Sequence, residues 1–366
     1  MHLGRSLVKG AEIQFDRPAW ADFFPADILT QEFFRLGCAP HAVNVIQKLQ
    51  SALNEILNEL DKDRFDLYLV LGDNVTWPDD SSFEFARDFL WGLESVSDSY
   101  MGTKNECQCL QIPTEKLILI PGNHDKMLRR DLQLYHKFLR QHPNEKECYF
   151  VSKRVREQEF LFVTVDVSRY TLMPELTVDL SADCLGCLAA GEIKPDLIAT
   201  IEAKLAALRK GAEVDQASLE NYEAATKILV THYALIDSLL TRMTPMEWLI
   251  PGGCIGSELL AEIGHHFDFA IHGHRHKPKL YRFPNTNRND KFARALPVIS
   301  VGTATQRTSG FKREDDTKGF YVISFLESSE IHAQHYHWSA TANNFIKDPA
   351  RKRSGTLNPS SVRKIS

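Results

Sequence analysis

The chain has 366 residues, 43% of them hydrophobic, and a formal net charge of −5, enough for one large domain or two ordinary ones and no electrostatic case for nucleic acid as a partner. No run approaches the roughly 18 apolar residues of a membrane-spanning helix, and seven scattered cysteines suit a reducing compartment better than a disulfide framework. With no signal-peptide pattern after Met1, the expectation is a soluble, cytoplasmic protein.

Residues 5–40 are irregular and rich in Phe and Pro, including Phe15, Pro18, Phe23, Phe24 and Pro25. They read as an insertion, either packed on the surface by its own aromatics or lying as a lid over a site. From His41 to Leu60, apolar residues at Val45, Ile46, Leu49, Leu53, Ile56 and Leu57 have the spacing of an amphipathic helix. Asp66 to Leu71 predicts a strand that stops at Gly72-Asp73-Asn74, and Ser81 to Leu93 predicts a second helix. Leu117-Ile118-Leu119-Ile120 reads as a strand buried on both faces, broken at Pro121-Gly122 and followed at once by Asn123-His124-Asp125.

Phe160 to Val165 is the next strand, and Pro195 to Arg209 an amphipathic helix. Ile228-Leu229-Val230 runs into Thr231-His232-Tyr233, and Phe267 to Ile271 runs into His272-Gly273-His274-Arg275-His276. Strands at Val298 to Val301 and Gly319 to Phe325 close the series. Strands alternating with helices predict a layered α/β domain, parallel for the most part and antiparallel in its later strands. The domain is expected over residues 1–338, with 339–366 a basic, Ser- and Asn-containing tail without fixed structure.

Several hydrophobic runs thus end in groups suited to metal or proton chemistry: Asp73, Asn123 with His124, His232, and His274 with His276. Mixed imidazole, carboxylate and amide donors suit borderline divalent cations such as Zn, Mn, Fe or Co, whereas Ca prefers oxygen alone. Residues two apart at a strand end share a face, so His274 and His276 can reach one centre. Each signal is weak alone: a Gly-Asp is a common turn, and a histidine after a strand is more often a satisfied surface residue. Their order and placement make the set strong.

Gly72-Asp73, Gly122-Asn123-His124-Asp125, His232 and Gly273-His274-Arg275-His276 resemble the motif series of the calcineurin-like metallophosphoesterase superfamily. The resemblance spans roughly residues 1–330 and implies an α/β/β/α sandwich of mixed sheets flanked by helices. It implies two divalent metal ions, with Asp73 bridging them. His2 and His276 would complete the first site, and Asn123, His232 and His274 the second. His124 would contact the phosphate and support the leaving oxygen, Asp125 would orient its neighbours, and Arg275 would meet a phosphate oxygen or stand in solvent.

The family's first motif, Asp-x-His, is met only in part by Met1-His2-Leu3-Gly4. The expectation is that the aspartate and the first strand precede Met1. Upstream codons that encode neither would leave Met1-His2 a chance match.

By resemblance the chain is a phosphoesterase in which a metal-bridging hydroxide attacks in line, on a phosphodiester ahead of a phosphomonoester. Asn74-Val75-Thr76-Trp77 departs from the protein serine/threonine phosphatases, and Thr76 stands where purple acid phosphatases carry a metal-binding tyrosine. Trp77 and the Phe-rich segment suit a nucleotide. The alternatives are a non-catalytic scaffold on the same fold, as in the retromer subunit, and a nuclease of the double-strand-break repair type. His265 and His266 read as a helix end and His272 as packing. Cys107 and Cys109 with Cys184 and Cys187 read as structural thiols or, less readily, a zinc site.

Overall fold

The computed structural model describes residues 43–75, 80–92, 95–98, 105–122, 125, 135, 137–138, 148–166, 193, 195–233, 235, 256–274, 278–283, 295–302, 304, 319–325 and 331–348. The Phe- and Pro-rich stretch at 5–40, Trp77, and Cys184 and Cys187 lie outside them. Cys107 and Cys109 are both buried.

Four helices frame the described residues: α1 (Val43–Glu59), α2 (Asp80–Trp91), α3 (Pro195–Arg209) and α4 (Gly256–Ile263). The strands of the first half are β1 (Tyr68–Leu71), β2 (Ser95–Asp98), β3 (Asn105–Gln108), β4 (Leu117–Ile120), β5 (Cys148–Val155) and β6 (Gln158–Val165). Those of the second half are β7 (Thr226–Thr231), β8 (Phe269–His272), β9 (Lys279–Phe283), β10 (Leu296–Ser300), β11 (Gly319–Phe325), β12 (Ile331–Ser339) and β13 (Asn344–Lys347).

A six-stranded sheet runs β5-β6-β7-β8-β10-β9. Its centre, β6 through β10, is parallel, and β5 and β9 close its two edges antiparallel. The facing layer holds the parallel pair β1-β4 and the antiparallel β11-β12-β13, while β2 and β3 form a separate hairpin.

Side chains alternate faces along each strand, and the cores follow from that. Ile118 and Ile120 of β4 meet Ile228 and Val230 of β7 between the sheets. Leu117 and Leu119 turn outward to α1 and α2. Leu229 turns the opposite way, with Phe150 and Val163, to α3 and α4. The order is helix, sheet, sheet, helix, as expected, and β4 is buried along its whole length.

The boundary expected at 339 is corrected. β12 runs to Ser339 and β13 follows, pairing Trp338 with Phe345. Both rings are buried, 5.4 Å apart, and burying them is what orders a segment whose polar composition reads as tail.

Among the described residues, the two parts of the facing layer are not paired with each other as strands. Among the described residues β1 pairs only with β4, and β11 only with β12 at its edge. Both line one groove of about 1300 Å³, floored by Phe160, Phe162, Phe269 and Ile271 of the facing sheet.

After α4, a single 3₁₀ turn, Gly264–His266, brings two imidazoles within 3.9 Å. Burial, then His265, Arg209 and Lys227, push His266 down to about 4. A base whose folded pKa lies below its unfolded value contributes stability above about pH 6.5 that is lost as pH falls toward 4. With His265 exposed and His266 only partly buried, solvent screening holds the loss to about 1 kcal/mol. His266→Gln is expected to flatten the fall in urea midpoint between pH 7 and pH 5; an unchanged fall would refute the assignment.

Candidate metal centre

Parallel strands deliver their carboxyl ends to one side of a sheet, where ligands bind in open α/β folds. β1, β4, β7 and β8 end in Gly72-Asp73, Pro121-Gly122, His232 and Gly273-His274. After β1 the backbone is left-handed at two successive residues, Gly72 (φ 81°) and Asp73 (φ 50°), and His274 is left-handed too (φ 65°). Non-glycine residues seldom adopt this conformation, and such strain concentrates at functional positions.

Asp73, His232 and His274 converge, each offering one donor atom within 4.8 Å of the others. His232 Nε2 lies 3.3 Å from Asp73 Oδ2 and 3.2 Å from His274 Nδ1. His232 Nδ1 lies 2.7 Å from Leu71 O. A carbonyl only accepts, so Nδ1 carries the proton and Nε2 presents its lone pair to the other two donors.

The donor set fits a borderline divalent cation. Donors about 2.0–2.1 Å from a tetrahedral metal stand roughly 3.3–3.4 Å apart, close to both separations here. Burial opposes charge on His232, but the Asp73 carboxylate and the Leu71 carbonyl outweigh it and raise its pKa. Asp73 and His232 are both buried, 3% exposed each, and the Asp73 charge is compensated by a protonated His232 or, with His232 neutral, by a bound cation.

Asp125 holds the centre together from behind. Fully buried, its carboxylate accepts from Gly122 N (2.8 Å), Asn74 Nδ2 (2.8 Å) and Val75 N (3.0 Å). Asn74 Nδ2 also donates to Ile120 O. One side chain thereby clips the turn after β4 to the turn after β1. Burial and then the Asp73 charge raise the Asp125 pKa, against backbone hydrogen bonds from Gly122, Asn74 and Val75. Gly72 and Gly122 lie back to back beneath the site, where a β-carbon on Gly122 would overlap Asp73 Oδ1 and the Asp73 amide.

His2, Asn123, His124, Arg275 and His276 lie outside the described residues. His272, expected to pack, is buried at the end of β8 with its Nδ1 2.9 Å from Gly273 O. Sequence reasoning missed Tyr233, a buried ring 5.4 Å from His232 and 5.0 Å from His274. Its one signal was its place directly after His232.

Imidazole and carboxylate donors at the carboxyl ends of parallel strands, in a four-layer sandwich, define an α/β protein with a candidate divalent-metal centre. The chain belongs to the calcineurin-like phosphoesterase family, whose model matches residues 41–278. No curated protein matches it in sequence. A solved structure described as "GAP50 the anchor in the inner membrane complex of Plasmodium" is similar at 14% identity and a TM-score of 0.39, covering 85% of this chain and 84% of that one.

Proposed function

We propose that the chain is a metal-dependent phosphoric ester hydrolase acting on a small phosphodiester, with a dinuclear centre. The observation that carries the reading is the convergence of Asp73, His232 and His274, with His232 held in its ligating tautomer by Leu71 O. Asp73, His232 and His274 would hold metal, joined by His2, Asn123 and His276 as the motif series implies. Divalent cations so held supply positive charge that polarises a phosphoryl group and lowers the pKa of water.

The chain's own groups do the rest. Asp125 fixes the turn that carries Gly122 and leads into Asn123 and His124. His124 then supports the leaving oxygen, and Arg275 meets a phosphate oxygen. Tyr233 lies against His274, ring centres 5.0 Å apart.

The test is hydrolysis of a chromogenic phosphodiester with added Mn²⁺, by this chain and by a version extended upstream of Met1. Turnover by either, abolished by chelator and by His124→Ala with metal still bound, is the expected result. If neither turns over while both fold and bind Mn²⁺, the hydrolase reading fails and the scaffold reading replaces it.

A further inference from the structure

A second cluster of donors lies in the β11-β12-β13 sheet, on none of the strands that build the first centre. His335 and His337 are two apart on β12 and so project from one face. Just past β13, Asp348 donates its backbone N–H to His335 O, continuing the ladder by one residue and setting its carboxylate beside the two imidazoles. The three side chains each offer a donor atom within 4.8 Å of the others.

Three features mark this as more than a histidine–carboxylate contact. His335 Nδ1 and Asp348 Oδ2 are 3.4 Å apart, long for a charge-assisted hydrogen bond yet close to the separation of two donors on one cation. His337 Nδ1 is buried and makes no hydrogen bond, a cost that a ligand at that nitrogen removes. Opposite His337 the chain places Gly319, where a β-carbon would overlap Tyr336 O and come within 2.5 Å of His335 Nε2. Glycine inside a strand marks a close approach, and here it leaves room for the His335 ring.

We propose that His335, His337 and Asp348 form a second metal site, for a borderline divalent cation of the Zn²⁺ or Co²⁺ class. Two imidazoles and one carboxylate are a donor set of that class, and three protein ligands leave a further position for water. The cation clips β12 to the segment after β13, so binding stabilises the hairpin that ends the described chain.

The experiment is a Co²⁺ titration of the full chain carrying Asp73→Asn and His274→Gln, which silence the first centre. Equilibrium dialysis counts bound metal, and visible absorption reports its coordination. The expected result is one equivalent per chain with a tetrahedral or five-coordinate spectrum, together with a raised melting temperature. Adding His337→Gln, at a partly buried position, should abolish the equivalent, and Asp348→Asn should do so independently, with circular dichroism confirming that each variant folds. No bound Co²⁺ in the silenced chain, or an equivalent that survives both substitutions, overturns the site.

Discussion

Asp73→Asn is expected to lower phosphodiester turnover by at least about 10²–10³-fold, the range for removing one preorganised stabiliser of transition-state charge. Asparagine keeps the shape of a side chain that has almost no room to change, since the Gly122 backbone packs directly against it. What it removes is the charge facing His232 at 3.3 Å. Without metal the same substitution should stabilise the fold, because Asp73 is a buried carboxylate whose charge raises the Asp125 pKa. Lost turnover with an unchanged or higher melting temperature in chelator therefore separates function from folding. Wild-type turnover in Asp73→Asn would dismiss the centre.

Gly122→Ala adds one methyl group and is expected to damage both stability and metal binding. The new carbon would overlap Asp73 Oδ1 and the Asp73 amide and sit 2.8 Å from His232 Cε1. Little there can yield: the Asp73 backbone is already left-handed, and Gly122 N is held by Asp125. Overpacking of this kind costs about 1–3 kcal/mol. Displacing two ligands from behind should cost roughly 10–100-fold in metal affinity, the scale seen when the supports of a metal ligand are disturbed. Denaturant midpoints and Mn²⁺ titration check the two effects separately. Loss of stability with affinity intact would mean that the turn moves as a unit without shifting the donors.

The site was legible wherever a ligand follows directly on a strand stop. At Leu71-Gly72-Asp73 and Ile271-His272-Gly273-His274 the hydrophobic run, the glycine and the donor are contiguous, so one local signal carries element and chemistry together. β4 and α3 were readable to the residue because their bounds are also local, Pro121-Gly122 stopping the first and Pro195 and Gly211 flanking the periodic run of the second. β12 was not: Ile-His-Ala-Gln-His-Tyr-His-Trp-Ser buries Ala333 and His335 on one face and Tyr336 and Trp338 on the other, so it has no polar face and its histidines interrupt the apolar pattern. β9 reads poorly because an edge strand can be half exposed throughout. Nor does spacing reveal Asp125 as a clasp, since its hydrogen-bond partners Asn74 and Val75 are some fifty positions away and meet it only after β1 and β4 pair.

The groove between β1 and β11 bears on how the protein behaves in concentrated solution. A strand paired along one edge carries a second row of amides and carbonyls on the other, and among the described residues this groove is lined by two strands paired along one edge each, above an aromatic floor. Where such an edge is left unpaired it is a template for strand exchange between copies and for β-aggregation, so what covers the far edges of β1 and β11 sets the tendency to associate. An extended segment lying in that channel would satisfy both rows at once, a protection that the chain's modest net charge of −5 does not supply.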